Sequence, residues 1–395
     1  MTRSRLTLLA VALGAALAAP PADAQNRQVL TTAVPFLQIE PDSRAAGMGM
    51  TGVALADNAY APFWNPAGLA EQDGAQVSFT YAPWLPALGT DLAYNYLTGV
   101  YGLGSAGTLG GHFTYFDLGE QIATDERGES LGTFSSYEIA AGVSYGYPVT
   151  ENLSVGTGAR FIYSNLTGGA SLGPSTPVDA AASFGVDLGV KYTAPDIGLG
   201  ESSRPSVAFN LANMGPRISY TENNDFPDAI PTTLRFGGAL DTKIDEFNRI
   251  IVALDLNKVL VNGEVNEEGR LEFDPFYKAL FSSWGSREVA STFDPEGRTC
   301  DERREDPEAP QCETISALKS LTLGAGLEYW YNDLLALRGG YFYEDPANGN
   351  RQFLTLGTGI RYSLVGVDIS YIYALEEESP QSNQLRFSLL LNIPR

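Results

Sequence analysis

Alternation of side-chain character, kept up through segment after segment, is the feature that most restricts what this chain can fold into. In "VGVDISYIYAL" Val365, Val367, Ile369, Tyr371, Tyr373 and Leu375 fall on one face, while Gly366, Asp368, Ser370, Ile372 and Ala374 fall on the other. In "SLTLGAGLEYW" Leu321, Leu323, Ala325, Leu327 and Tyr329 oppose Ser320, Thr322, Gly324, Gly326, Glu328 and Trp330. An apolar face set against a small or polar one is the two-residue period of a β-strand. About fourteen such segments succeed one another, at 75–82, 91–102, 106–118, 133–147, 152–166, 179–193, 203–212, 231–242, 248–257, 319–331, 333–344, 351–362, 364–375 and 383–393. Each is near the ~9–11 residues of a tilted membrane-crossing strand, and past the first residues no apolar run reaches the ~20 that a spanning helix needs.

The connections sharpen this. Alternate links are tight ("GSA", "PVTE", "KIDEF", "ND", "SL"), with only the link around 194–202 breaking the series. The others are longer and polar, at 119–132, 167–178, 213–230, 258–318 and 376–382. Short turns on one side and long loops on the other describe an outer-membrane barrel, turns periplasmic and loops extracellular. A secreted β-sandwich, the rival, has strands averaging ~5–6 residues and no such alternation of loop length. The fold class expected is therefore all-β: a transmembrane outer-membrane β-barrel of about fourteen antiparallel strands. An even strand number predicts both termini on the periplasmic side. The last segment, "NQLRFSLLLNI", sets Leu385, Phe387, Leu389, Leu391 and Ile393 against Gln384, Arg386, Ser388 and Asn392.

The first 24 residues read as a secretory signal: Arg3 and Arg5, then "LTLLAVALGAALAA", then "ADA" before Gln25. A charged fraction of 18%, against about 25% in soluble domains, fits a protein that leaves the cytoplasm for a membrane. In an oxidising compartment the only two cysteines, Cys300 and Cys312, are expected to form a disulfide closing a small loop. A formal net charge of -22 makes nucleic acid an improbable partner, because its phosphates are repelled. The organisation expected is a signal peptide (1–24), an N-terminal hatch segment inside the barrel (25–74), and the barrel itself (75–395) with a long extracellular loop at 258–318.

A lumen of fourteen strands needs a plug if it is not to leak. The stretch before the first strand is rich in small residues and glycines, which allow compact turns. Gly47, Gly49 and Gly52, then Trp64, Asn65 and Pro66, are the hatch residues singled out. The run "PFLQIEPDSRAAGMGMTGVALADNAYAPFWNPAGLA" (35 to 70) resembles the N-terminal hatch of the PorV/PorQ family, and its "NPAGLA" is shared with the broader FadL-like family of outer-membrane barrels. "PDSRAAGMG" followed by "WNPA" inclines the resemblance to PorV. It implies a fourteen-stranded barrel with a plug, serving the type IX secretion system of Bacteroidota and their relatives. The partners it implies are the giant translocon barrel, secreted cargo carrying a shared C-terminal domain, and a surface attachment complex that includes a PorU-like sortase. The alternatives are a FadL-like channel for hydrophobic small molecules, whose hatch shifts to admit a ligand, and a PorQ-like attachment component. A sealed barrel with an aromatic external loop favours the shuttle; a pore lined by apolar residues favours the channel.

Within 258–318, "LEFDPFYKALFSSWG" places Phe273, Phe276, Tyr277, Leu280, Phe281 and Trp284 at helix-like spacing, a possible partner-binding patch. The alternative is that these side chains fold onto the rim. A role in lipid A deacylation has been attached to the PorV name, and the only base imidazole is His112 in "GGHFTYF", expected to face the lumen beside Thr114. One inward His is a structural polar residue, so no enzyme activity and no catalytic residue is expected. Asp125, Glu126 and Glu129 read as a solvated acidic rim, the alternative being that they bind divalent cations or bridge to lipopolysaccharide; outer-membrane lipids and lipopolysaccharide are expected partners of the barrel. No phosphate-cradling loop, calcium-loop pattern or metal-ligand cluster stands out, so neither metal nor cofactor is expected.

Overall fold

The structure is a computed structural model and describes residues 31–86, 91–124, 127, 129–168, 179–221, 227–265, 271–290, 312–376 and 379–394. The leader, Cys300 and with it the expected disulfide, Asp125 and Glu126 lie outside those residues. Ahead of the first strand stand two single-turn helices, α1 (Ser43–Ala46) and α2 (Ala61–Trp64). Then follow β1 (Ala75–Pro83), β2 (Ala93–Gly102), β3 (Thr108–Thr124), β4 (Ser130–Pro148), β5 (Leu153–Asn165), β6 (Ala181–Thr193), β7 (Ser202–Met214), β8 (Thr233–Lys243) and β9 (Asn248–Val259). The longest link carries β10 (Gly263–Val265), β11 (Leu271–Phe273), α3 (Phe276–Ser282), β12 (Arg287–Ala290) and β13 (Cys312–Ile315). The chain closes with β14 (Leu321–Tyr331), β15 (Leu335–Glu344), β16 (Gln352–Tyr362), β17 (Val365–Ala374) and β18 (Gln384–Ile393).

β1–β9 and β14–β18 form one closed antiparallel barrel of fourteen strands. β1 and β18 seal it, with Ala75 opposite Ile393 and Tyr81 opposite Phe387. The alternation sorts as the sequence demands. Leu385, Phe387, Leu389, Leu391 and Ile393 point outward and are exposed, while Gln384, Arg386 and Ser388 are buried in the interior. A lipid-facing apolar surface around a polar interior is the inverse of a soluble core. Near the long-link end Tyr115 stacks on Tyr137 at 5.9 Å, and Tyr163 lies tilted against Tyr137 at 6.2 Å, an interfacial aromatic band.

Three features depart from the expected layout. First, β3 and β4 extend past the wall as one long hairpin, so the link between them is 125–129 and not 119–132. A bulge between Asp117 and Glu120, with Gly119 at φ 73°, lets the ladder resume where it was expected to stop. Second, the segment 258–318 is not a plain loop. β10 and β11 pair with each other, α3 follows, and β12 pairs with β13. Third, the two ends of the described chain lie at opposite ends of the barrel. Ile393 pairs with Ala75 at the short-turn end. The N–H of Ala33, in contrast, donates to the carbonyl of Ala229 (3.0 Å), in the link that joins β7 to β8 at the other end. The strand-parity argument holds for the first and last strands; the segment ahead of β1 runs the length of the lumen and overrides it for the described amino-terminal residues.

The short turn between β8 and β9 is fixed by an acidic side chain. Asp245 accepts the N–H groups of Phe247 and Asn248, both at 2.9 Å, and the Asn248 amide at 2.7 Å. The backbone hydrogen bond from Phe247, then that from the Asn248 side chain, holds its carboxyl below the usual carboxylate range. Its contribution to stability is present above the ordinary Asp pKa and is lost as pH falls through the depressed folded value. Asp245→Asn keeps the acceptor but removes the titration, so acid unfolding in detergent should become less steep. A second test addresses the lipid face: Leu389→Lys puts a charge in mid-strand and should cost about 2–4 kcal/mol in reversible folding into bilayers.

Candidate functional site

The segment 31–74 fills the lumen, and most of its residues are buried. Its local structure follows from caps and prolines. Asp42 caps α1 by accepting the Arg44 N–H (2.8 Å), and Asn65 caps the short turn of helix Pro66–Glu71 by accepting the Ala67 N–H (3.0 Å). Pro62 and Pro66 sit in first turns, where a missing N–H costs nothing.

Glycine sets how close the plug lies to the wall. Gly49 has φ +68°, and a Cβ there would stand 2.4 Å from the Ala325 carbonyl oxygen. Opposite it, a Cβ on Gly340 would stand 2.1 Å from the Gly49 nitrogen. A Cβ on Gly52 would meet the Trp64 ring at 2.2 Å, so that glycine is the seat of the indole. Phe63 packs edge-on to Trp64 at 5.2 Å, and Arg235 of β8 lies over Phe63 at 4.6 Å while donating to its carbonyl (2.6 Å). Asn65 also donates to the carbonyls of Val190 (3.2 Å) and Phe209 (3.3 Å), which ties the Asn-Pro turn to β6 and β7. Through Gly47, Gly49, Gly52, Trp64, Asn65 and Pro66 together, the backbone of the plug lies directly against the barrel.

Charges bolt it in place. Arg44 grips Glu328 of β14 with two nitrogens (Nε–Oε2 3.0 Å, Nη2–Oε1 2.8 Å) and Asp57 of the hatch with a third (2.6 Å). Glu328 also receives Arg338 of β15 (2.6 Å), which reaches Asp368 of β17 (2.7 Å), which receives Arg361 of β16 (2.6 Å). Asp255 of β9 accepts the N–H groups of Gly52 (2.7 Å) and Val53 (2.9 Å). A hydroxyl chain from Tyr60 through Thr80 and Ser388 to Ser43 has 2.7 Å at every step. Lys191 holds Glu71 (2.7 Å) near the short-turn end, and Arg386 donates to the Glu40 carbonyl near the long-link end.

His112 faces inward, as the alternation predicts. Its ring is buried and stacks on Tyr96 at 5.7 Å, and neither ring nitrogen has a hydrogen-bond partner among the described residues. No nucleophile is held against it among those residues.

The long-link end carries the other candidate surface. Phe273 is not on the helix: it lies in β11 and is buried with Ala229 and Val261. α3 is shorter than the spacing suggests, starts at Phe276, and is anchored by buried Ala279. Asp274 holds Ser282 (2.6 Å) and Lys278 (2.6 Å), and Arg217 donates to the Phe273 carbonyl (2.6 Å). Tyr277 (64%), Phe281 (80%) and Trp284 (46%) stay exposed, while Phe276 is half-buried against Tyr277 at 5.8 Å. Trp284 rests under the Lys258 ammonium at 5.3 Å.

Residues 22–266 match the family model described as "Type IX secretion system protein PorV". The chain belongs to the PorV family. It is an outer-membrane β-barrel component of type IX secretion. No curated protein matches it. Among solved structures this PorV-family chain is similar to the toluene transporter TbuX of Ralstonia pickettii (15% identity, 89% of this chain and 97% of that one, TM-score 0.46). It is also similar to the toluene transporter TodX of Pseudomonas putida (14% identity, 88% and 95%, TM-score 0.44). A FadL homologue of Pseudomonas aeruginosa is a third (13% identity, 92% and 98%, TM-score 0.44).

The residues that sequence reasoning missed in this PorV-family barrel are the charged ones. Glu328, Asp368 and Arg386 all stood on the polar faces of strands already drawn, and an ionisable residue in mid-strand signals a partner across the lumen. Nothing in the sequence pairs Arg44 with Glu328, which are 284 positions apart. Glu328→Ala strips the shared counter-ion from Arg44 and Arg338. It should cost about 3–5 kcal/mol, read as a lower denaturant midpoint and faster amide exchange across 42–57.

Proposed function

We propose that this PorV-family barrel is a non-enzymatic shuttle of the type IX secretion system. It binds the translocon and the C-terminal domain of secreted cargo and hands that cargo to the surface attachment complex with its PorU-like sortase. The short turns face the periplasm and the long links face the cell exterior. The observation that carries this reading is a lumen closed by a plug bonded to the wall on all sides, beside an aromatic surface fixed at the long-link end. Thr51, Ala59, Ala61, Asn65, Ala67 and Leu69 are wholly inaccessible. A cavity of about 10 Å³ under α3, lined by Ile230, Leu260, Val261 and Phe276 among others, has room for no more than one water. A lumen so filled favours the shuttle over the channel, whose hatch has to shift before a ligand can pass. Work on cargo is then done by the outer face, where Tyr277, Phe281 and Trp284 offer rigid aromatic contact at low entropic cost.

The carboxylate-rich hairpin of β3 and β4, with Glu129 at its tip, belongs on the same face and meets lipopolysaccharide and solvent. The domain limits follow the same reading: a removable leader to residue 24, a hatch to 74 and a barrel from 75. A disulfide between Cys300 and Cys312 braces the longest link.

Phe281→Ala with Tyr277→Ala should leave the barrel folded and heat-modifiable on gels. Recovery of the translocon or of cargo with the purified protein should fall at least about tenfold, the loss of a hot-spot aromatic. Unchanged recovery, together with uptake of a hydrophobic probe by vesicles containing the protein, would move the function to a channel.

A further inference from the structure

We infer that Thr31, at the amino-terminal end of the described hatch, is displayed on the cell-exterior face of the barrel, at the rim of the surface that carries α3. The inference rests on the direction in the membrane proposed above and adds to it a place for the chain's own amino-terminal side.

The path of the plug fixes this. Glu71 bonds Lys191 and Thr193 near the short-turn end, and the Gln72 carbonyl accepts from Thr108 in the first residue of β3. At its other end, the Ile39 carbonyl accepts from Tyr94 near the start of β2, and Arg386 near the start of β18 holds the Glu40 carbonyl. Phe36 stacks on Phe116 at 6.4 Å, and Phe116 meets Trp84, which lies just past the end of β1. All four of these wall positions are at the long-link end. Val34, a β-branched residue at φ 47°, is 1% exposed in the same cluster as Ile218 and Ile230. So uncommon a conformation persists only where packing over-determines it. Thr31 is exposed there.

This end of the hatch is continuous with the partner surface. Ala33 bonds Ala229, Ala229 packs on Val261 and Phe273, and Asp274 of the same turn ties down α3 through Ser282 and Lys278. A protein seated on Tyr277 and Phe281 therefore stands over an ordered platform in which the plug takes part.

The test is surface labelling of the full chain in its native outer membrane with a membrane-impermeant maleimide. Single cysteines go in at three exposed positions of a background with Cys300→Ser and Cys312→Ser: Thr31→Cys, Gln121→Cys in the long hairpin, and Glu246→Cys in a short turn. The expected result is equal labelling of Thr31→Cys and Gln121→Cys on intact cells, with Glu246→Cys labelled only after the outer membrane is permeabilised. Labelling of Gln121→Cys alone on intact cells overturns the inference and leaves the proposed orientation standing. Labelling of Glu246→Cys alone overturns the orientation and the inference with it. Should the serine background fail to assemble, an epitope inserted between Thr31 and Thr32 of the unaltered chain serves instead. Antibody binding on intact cells supports the inference, and binding only after permeabilisation overturns it.

Discussion

The grip of Arg44 on Glu328 is the interaction around which this molecule is arranged. A carboxylate in a strand wall, surrounded by lipid on the outside, cannot stay ionised without counter-charges inside. Glu328 has two, one from the plug and one from its neighbour strand, and the second leads on to Asp368 and Arg361. Arg44, Glu328, Arg338 and Asp368 each bridge two opposite charges, so removing one of them takes a counter-charge from two neighbours at once. A barrel of this sequence without its plug would hold Glu328, Asp255 and Arg235 facing an unfilled lumen.

The second constraint is distance. Such bonds form only if the plug backbone reaches the wall, and Gly49 against Gly340, or Met48 against Gly326, leaves no room for a Cβ on the wall glycines. Small residues in the hatch and small residues on the inner strand faces are therefore two halves of one requirement. The plug occupies the lumen, and the exposed aromatic side chains Tyr277, Phe281 and Trp284 stand apart from it at the long-link end.

At the long-link end the division is bridged. The plug begins among Phe36, Phe116 and Trp84 and supports the link between β7 and β8, which supports β11 and α3. The apolar cluster that joins them is the largest among the described residues and has members from hatch and wall alike. The exposed Tyr277, Phe281 and Trp284 follow β11, whose Phe273 packs in a separate small cluster with Ala229 and Val261.

The sequence by itself determined the barrel. Period-two alternation is a local property, repeated until the strand count, the inward and outward faces and the alternation of link lengths follow from it. It marked the hatch as well, because Gly49, Trp64 and Asn65-Pro66 are conspicuous wherever they point. It overread the helix, since a spacing of aromatics does not tell Phe273 in a strand from Phe281 on a helix. Only the tertiary structure decided which charges meet, which end of the lumen the hatch enters from, and that β3 and β4 run on past the wall. Those depend on contacts between residues hundreds of positions apart, and no local pattern encodes a partner that the closure of the barrel alone brings near.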